Sequence, residues 1–272
     1  MRNIIAMLLL LTFSCILSNA NAGSLQIDLK EALAKLELGT IQLEENHPRS
    51  STTLSEAAAQ FEELIMNYEI ETAGIYHALG NAYLLNDELG HAVLSYRKGE
   101  QIDPTHAQIR ASLAHARSTV PLNIEPGKIS RVWSMLLSWR GVISRPSIWY
   151  TFMSLSLFGW IACSARVSGI GPKRLGAVGM WLIIASLIPI AMLGTEWARF
   201  HNSPLIVITS THVNARSGPD HEIYDAVFVD GLVGGVEGTI LETRNNWHRL
   251  LLADGSQCWV PATALGKVNP ES

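Results

Sequence analysis

Two apolar runs, residues 147–165 and 175–194, dominate the hydrophobic pattern because neither contains a charged side chain. Each run is about twenty residues long, which is enough for a helix to cross the apolar core of a bilayer. The connector 166–174 is short, so the two runs predict a hairpin of transmembrane helices. The three basic residues of the connector favour the cytoplasmic side. Because Asp, Glu, Lys, Arg and His are missing from both runs, the pattern argues against a proton or ion pathway.

The first 22 residues have the pattern of a secretory signal. Arg2 precedes an apolar stretch that ends in small residues, which predicts cleavage after Ala22. An uncleaved anchor is one alternative, and lipidation at Cys15 is another. If the leader is cleaved, or kept with its N-terminus inside, residue 23 is outside the membrane. Since the hairpin returns the chain to its starting side, both flanking regions are predicted to face the exported compartment.

Large, small and aromatic side chains recur at helical spacing in residues 73–106. The pattern resembles a tetratricopeptide (TPR) repeat, a helix–turn–helix unit of 34 residues. Its packing positions are filled by Tyr76, Leu79, Gly80, Tyr83, Ala92, Tyr96 and Pro104. Further helices are expected at 25–45, 55–68 and 106–120, with a loop before Ser55. Residues 23–122 are therefore predicted to form an all-α, TPR-like solenoid.

TPR arrays bind extended peptides or protein termini along a concave face, so the resemblance implies a groove in this region. His77 and Asn81 occupy groove positions of the clear repeat, and Arg110 lies on the following helix. The alternative is that these three residues are surface polar groups without a ligand.

From residue 203 onward the chain changes to short β-type segments separated by Gly, Asn and Asp. Five strands are expected, in LIVITS, AVFVD, TILET, HRLLLA and CWVPA, with turns at Asn245–Asn246 and Asp254–Gly255. The opening VNARSGP and the closing WVPATAL resemble a bacterial SH3-type domain. The resemblance implies a small all-β barrel over residues 203–268 that recognises cell-wall peptides or protein ligands.

Three aromatic residues of this region, Tyr224, Trp247 and Trp259, are candidates for a binding surface. Core packing is the alternative for both tryptophans. Cys258 is considered as a nucleophile because SH3-type domains often accompany cysteine peptidases. Its place in an alternating strand, away from any helix start, instead favours a buried packing role. No catalytic residue, metal site or cofactor is predicted.

Charge divides the chain into three parts. Residues 23–127 contain seven basic and fifteen acidic side chains, residues 128–200 eight and one, and residues 201–272 four and eight. Nucleic-acid binding is disfavoured because it requires a basic face. Two acidic soluble domains around a basic membrane anchor fit the pattern. Residues 123–146 are predicted to be a linker, or an amphipathic helix at 129–144 on the bilayer surface.

The order of TPR units, membrane hairpin and SH3-type domain resembles the BatE-type proteins of bacterial aerotolerance operons. The resemblance implies a multidomain inner-membrane scaffold with both soluble domains in the periplasm. Its partners would be proteins of a Bat/MoxR-type complex, including membrane proteins with von Willebrand factor A domains. The first alternative is a sensor or anchor whose SH3-type domain binds peptidoglycan peptides. A cell-wall hydrolase that uses Cys258 is the enzymatic alternative.

Overall fold

A computed structural model describes the backbone of residues 2–120, 145–170, 172, 174–202, 205–220, 223–228 and 230–268. Side chains are described in the same ranges except at 2–22, 145 and 195–202. This part of the chain is mostly helical, with seven α-helices followed by an antiparallel sheet. The predicted interfacial helix lies outside the described residues, as do the side chains of the predicted signal sequence.

Among the described residues, five helices precede the hairpin and pack in two layers. They are α1 (Arg2–Glu44), α2 (Ser50–Tyr68), α3 (Ala73–Leu85), α4 (Leu89–Ile102) and α5 (Ala107–Thr119). Short connections make each helix pack against the next one. Helix α3 also contacts both α1 and α5. The odd-numbered helices therefore form one layer, and α2 and α4 form the other.

Buried apolar side chains hold the first three helices together. Phe61 and Leu64 of α2 pack with Tyr76 and Leu79 of α3 and with Ala32 of α1. Helix α3 begins after Thr72, whose side chain accepts a hydrogen bond from the backbone N–H of Ile75 at 3.3 Å. This cap satisfies one of the amides left unpaired at a helix start.

Helix α2 begins at Ser50, so the prediction of a loop up to Ser55 was wrong. Leu54 is fully buried, and a Cβ at Gly39 of α1 would lie 2.8 Å from its Cδ2. The Ser and Thr residues of this segment favour turns because their side chains compete for backbone hydrogen bonds. Packing of Leu54 against α1 overrides this local preference and extends the helix.

The hairpin consists of α6 (Arg145–Val167) and α7 (Arg174–Asn202). The segments Pro146–Val167 and Arg174–Gly194 are long and apolar enough to cross a membrane. Only 11 % of the most apolar 18-residue stretch of the first segment and 17 % of that of the second is buried. A core helix of a soluble protein would be mostly buried. The two helices approach closely where a Cβ at Gly179 would lie 2.8 Å from the carbonyl oxygen of Gly159.

The C-terminal region forms a five-stranded antiparallel sheet in the order β6-β5-β4-β1-β7 and a two-stranded ribbon of β2 and β3. The strands are β1 (Leu205–Ile208), β2 (His212–Val213), β3 (Leu232–Val233), β4 (Glu237–Arg244), β5 (Trp247–Leu252), β6 (Gln257–Pro261) and β7 (Leu265–Lys267). One face of the sheet carries the core, with Ile206, Ile208, Leu250, Leu252 and Val260 buried.

The described strands do not close into the predicted barrel, because β6 and β7 are the two edges of the sheet and do not pair with each other. The prediction of a strand in AVFVD was also wrong. Ala226 forms only an isolated bridge with Arg216, and the next strand begins at Leu232. Both predicted turns are present, since Asn245 (φ 50°) and Gly255 (φ 94°) have the left-handed backbone that such turns use.

Candidate functional site

The helical domain (residues 23–120) and the sheet domain (residues 205–268) pack against each other, although the hairpin separates them in sequence. A single buried cluster contains Val93 of α4, Leu113 of α5 and Val207 of β1. The apolar core of the helical domain therefore continues into the first strand of the sheet. Burial of this kind is the main favourable contribution to holding two domains together.

The closest approach between the two domains involves backbone on both sides. A Cβ at Gly90 of α4 would lie 2.5 Å from the carbonyl oxygen of Ile208 and 2.8 Å from Cα of Thr209. A Cβ at Gly234 would lie 3.3 Å from the backbone nitrogen of Gly90. Only a residue without a side chain permits this contact at position 90.

A charged cluster lies at the edge of the same interface and consists of Arg97, Arg117 and Glu237. Nε of Arg97 on α4 is 2.9 Å from Oε2 of Glu237 on β4. Nε of Arg117 on α5 is 2.7 Å from the other carboxylate oxygen, Oε1. Arg97 also pairs with Glu100 on its own helix at 2.6 Å. Both oxygens of Glu237 therefore accept charged hydrogen bonds from the helical domain.

The pKa of Glu237 reflects this arrangement. Burial by itself would raise the pKa, since only 17 % of the side chain is exposed. The positive charges and hydrogen bonds of Arg97 and Arg117 outweigh burial and lower the pKa to about 2. The carboxylate is therefore ionised at neutral pH. Burial would lower the pKa of Arg97, but the charges of Glu237 and Glu100 raise it.

Sequence patterns did not identify this cluster. Glu237 is 140 residues from Arg97 and 120 residues from Arg117. Helix-surface ion pairs are recognisable by spacings of three or four residues, but a contact between two domains has no such spacing. Net charge does not indicate the cluster either, since both domains are acidic overall.

The predicted groove residues of the helical domain lie on the layer of odd-numbered helices. His77 and Asn81 are one turn apart on α3, and both are half-buried. Nε2 of His77 is 3.1 Å from the hydroxyl of Ser112 on α5, and the hydroxyl of Tyr96 donates to Oδ1 of Asn81 at 2.7 Å. Two of the predicted contact groups are thus already engaged within the domain.

Arg110 differs from the other two groove candidates because it is exposed. The structure places it on α5 without a described contact to His77 or Asn81.

The ring of His106 lies 6.0 Å from that of His77. Burial, and then the charge of His106, lower the pKa of His77 below its ordinary value of 6.5. His77 is therefore neutral at pH 7 and offers a hydrogen bond rather than a charge.

The predicted packing residues of the helical domain lie mostly in its interior. Tyr96 is fully buried, and its ring covers Gly80 so closely that a Cβ there would overlap it. The hydroxyl of Tyr83 reaches solvent and donates to Glu62 at 2.6 Å. The other buried packing residues are Tyr76, Leu79 and Ala92. Pro104 follows the end of α4 and is half-buried.

The three aromatic candidates of the sheet domain differ in exposure. Tyr224 is 40 % exposed, and its ring packs over Gly218. Trp247 and Trp259 are 8 % and 7 % exposed, yet neither belongs to the apolar core of the sheet. Successive side chains of a strand point to opposite faces. Because Cys258 and Val260 point into the core, Trp259 lies on the outer face.

Arginine side chains cover Trp259 on this outer face. Arg249 lies directly opposite Trp259 on β5, and Arg216 lies opposite it on the other side. Cζ of Arg249 is 6.0 Å from the centroid of the Trp259 ring, and Cζ of Arg244 is 5.8 Å from it. We call Arg216, Arg244, Arg249 and Trp259 the Arg–Trp cluster. Sequence analysis missed its arginines because cross-strand pairing determines which side chains meet.

Cys258 is in the core of the sheet domain and is 1 % exposed. Burial, followed by the negative charge of Asp254, raises the pKa of its thiol to about 12. The nearby His248 has its Nδ1 2.8 Å from the hydroxyl of Thr243. A thiol that stays protonated and is shielded from solvent lacks the properties of a nucleophile. The described residues also contain no group of three or more His, Cys, Asp or Glu that could hold a metal ion.

Comparison of the chain with protein-family models, with curated proteins and with solved structures found no match.

Proposed function

We propose that this protein is a non-enzymatic membrane scaffold whose helical and sheet domains bind protein partners on one side of the bilayer. The contact between the two domains is the observation that carries the proposal. The domains flank a hairpin of two helices that are apolar enough to cross a membrane. The contacts of Arg97 and Arg117 with Glu237 support a common compartment for both domains. The two domains present a single soluble unit to any partner.

The finer assignments belong to the same proposal. The helical domain is a TPR-like array, and the sheet domain is an SH3-like module. The close packing of Tyr96 on Gly80 supports the first assignment. The pairing of the Arg216 loop with β6 supports the second. Following the resemblance to BatE-type proteins, the protein lies in a bacterial inner membrane with both domains in the periplasm. Its partners include von Willebrand factor A-domain membrane proteins of a Bat/MoxR-type complex.

Site-specific photo-crosslinking in native membranes tests the proposal on the full chain. In one variant a photoreactive residue replaces Arg110, which is exposed on the predicted groove layer. In a second variant it replaces Glu45, which is exposed in the turn after α1. We expect adducts at position 110 that contain a membrane protein with a von Willebrand factor A domain. Position 45 is the control and should give none. Equal adducts at both positions, or none at position 110, would contradict the scaffold proposal.

The cell-wall alternative makes a different prediction, which is tested on the solubilised chain. If the sheet domain binds peptidoglycan, the detergent-solubilised full chain sediments with purified cell wall. Sedimentation without any protein adduct would replace the scaffold with the cell-wall sensor or anchor.

A further inference from the structure

The sheet domain gathers its arginines in one place. Residues 201–272 contain three arginines and one lysine among eight acidic residues. All three arginines belong to the Arg–Trp cluster, while Lys267 lies on the opposite edge strand β7. An acidic domain that concentrates its guanidinium groups around one tryptophan has a local surface of opposite sign. Such a surface differs from the mixed charges of an ordinary solvated face.

The cluster is a row of side chains across neighbouring strands. Arg216 and Trp259 exchange two backbone hydrogen bonds, at 2.8 and 2.7 Å, so their side chains leave the sheet on the same face. Arg249 continues the row on β5, and Glu242 continues it on β4. Arg244 reaches the Trp259 ring from the end of β4. Backbone pairing therefore fixes the spacing of the Cα atoms that carry these side chains before any ligand binds.

The positive charges of the cluster are only partly compensated. Glu242 accepts hydrogen bonds from Nε of Arg244 at 2.5 Å and from Nη2 of Arg249 at 3.1 Å. Nη1 of Arg216 donates to the backbone carbonyl of Tyr224 at 2.6 Å. Among the described residues, Glu242 thus pairs with two of the three guanidinium groups, and Arg216 has no carboxylate partner. An anion at this place would meet positive charge that these contacts compensate only in part.

Two donors of the cluster also lack partners. Nε of Arg216 and Nε of Arg249 are buried and have no hydrogen-bond partner among the described residues. A buried N–H of a charged group that is not hydrogen-bonded is unfavourable, so such donors are normally satisfied. These two lie on opposite sides of Trp259, on the residues that pair with it. A ligand with acceptor oxygens beside the ring would satisfy them.

The edges of the sheet limit how a ligand can bind. At the β6 edge Trp259 already pairs with Arg216, and Pro261 has no N–H to offer a further strand. The β7 edge is packed against α4, where Leu94 covers Gly266. Addition of a ligand strand is therefore disfavoured at both edges. A ligand at this face would instead contact the side chains of the Arg–Trp cluster.

Resting on the proposed scaffold function, we infer that the Arg–Trp cluster binds a carboxylate of an acidic protein segment. Guanidinium groups recognise planar carboxylates through paired N–H donors. Ile223 and Val227 in the adjoining loop are exposed and offer contacts to an apolar neighbour of the carboxylate. A bilayer surface fits less well, because it presents an extended array of phosphates that would also face Asp220, Asp225 and Asp230 of the same loop, whereas a single carboxylate would meet only the cluster.

Selection from a random dodecapeptide library tests this inference, because such a library samples acidic segments of every sequence context. The library is selected on the full chain in nanodiscs and, in parallel, on an Arg216→Gln, Arg249→Gln double variant. We expect Asp or Glu to be enriched several-fold at a fixed position only on the unmodified chain. A selected peptide should bind roughly tenfold more weakly to Arg249→Gln and should keep its affinity for the control Lys267→Gln. Equal acidic enrichment on both proteins, or no enrichment, would overturn the inference.

A variant with increased binding separates the ligand site from effects on folding. Glu242→Gln frees Arg244 and Arg249, so the affinity of this variant for the selected acidic peptide should rise several-fold. A control peptide in which Gln replaces the acidic residue should not bind. An unchanged or reduced affinity in Glu242→Gln would contradict a carboxylate site. Vesicles of phosphatidylethanolamine and phosphatidylglycerol provide the remaining comparison. Sedimentation with these vesicles that requires Arg249 would assign the cluster to lipid phosphate instead.

The outcomes also separate this inference from the scaffold proposal. Acidic peptides selected through the Arg–Trp cluster, with no adduct at position 110 in membranes, would leave the inference standing and remove the proposed von Willebrand-type partner. Adducts at position 110 without arginine-dependent peptide selection would have the reverse meaning.

Discussion

Arg97 on α4 forms an ion pair with Glu237 on β4, although 140 residues and a two-helix hairpin separate them. The same carboxylate accepts a second pair of hydrogen bonds from Arg117 on α5, at 2.7 and 3.1 Å. One acidic side chain of the sheet domain therefore holds two helices of the helical domain. The contact makes the two domains interdependent, and several measurable properties follow from it.

Replacement of Glu237 by glutamine should loosen the two domains. The change leaves Arg97 and Arg117 at the interface without a counter-charge, which should reduce the stability of docking by about 2–4 kcal/mol. Hydrogen–deuterium exchange of the full chain in detergent should then be more than tenfold faster in α4 and β1. Glu56→Gln is the matched control, because Glu56 forms only an exposed pair with Lys35. Equal exchange in both variants would show that the cluster does not hold the domains.

Acid should have the same effect as this substitution. The ordinary pKa of a glutamate here is 4.5, and docking lowers the pKa of Glu237 to about 2. Since the docked state binds the proton less tightly, its stabilisation is complete above pH 4.5 and is lost as the pH falls towards 2. Measured relative to the intrinsic amide exchange rate at each pH, exchange in α4 should rise over this range in the unmodified chain. In Glu237→Gln the additional rise should be missing; an identical acid profile would assign the effect to other carboxylates.

Gly90→Ala tests the backbone contact between α4 and β1. The added Cβ would lie 2.5 Å from the carbonyl oxygen of Ile208, so the domains must shift apart, at a cost of roughly 1–3 kcal/mol. Gly74→Ala on α3 is the control, because a Cβ there meets nothing within 4 Å. That change should be neutral or stabilising, as alanine favours helices. Thermal unfolding in detergent distinguishes the two variants, and equal midpoints would contradict the tight approach.

The common compartment of both domains can be tested by cysteine labelling. Glu45→Cys in the helical domain and Asp254→Cys in the sheet domain are at exposed positions, as is Ser168→Cys in the hairpin turn. In intact spheroplasts a membrane-impermeant maleimide should label the first two and reach position 168 only after permeabilisation. Labelling of only one of positions 45 and 254 would be incompatible with the interface.

Cys258 should be inert in the folded protein. Its pKa of about 12 leaves almost no thiolate at pH 8, and its side chain is 1 % exposed. With Cys15 and Cys163 replaced by serine, iodoacetamide should modify Cys258 at least roughly 100-fold more slowly than an added Asp254→Cys. Denaturant should remove the difference. Rapid alkylation of the native chain would instead revive the hydrolase hypothesis.

Local patterns predicted the elements that local interactions determine. The repeat at 73–106 predicted α3 and α4, and two charge-free runs predicted the hairpin helices. Errors occurred where distant contacts decide the outcome. The start of α2 depends on Leu54 packing against Gly39, and the loop around Ala226 depends on one bridge to Arg216. Four of the five predicted strands are present as β1, β4, β5 and β6, but whether the strands form a closed barrel depends on pairing between β6 and β7.

The candidate sites show the same division. His77, Asn81 and Arg110 were identified from repeat positions, and the tryptophans from their residue type. The functions of these residues depend on neighbours that no local pattern contains. Asn81 accepts from Tyr96, and Trp259 is covered by Arg244 and Arg249. A tryptophan in an alternating strand can point to either face, so its companions became visible only with the strand register.

Contact between the domains imposes an order on biogenesis. The surface of α4 around Gly90 and Val93 is completed by β1, which is synthesised after both hairpin helices. In a newly made helical domain this apolar surface therefore stays uncovered until the hairpin and then β1 have been synthesised. Pairings so distant in sequence form slowly. During this interval a chaperone would protect the growing chain by covering this side of α4. Truncation before residue 205 would leave the same side uncovered and would cause aggregation.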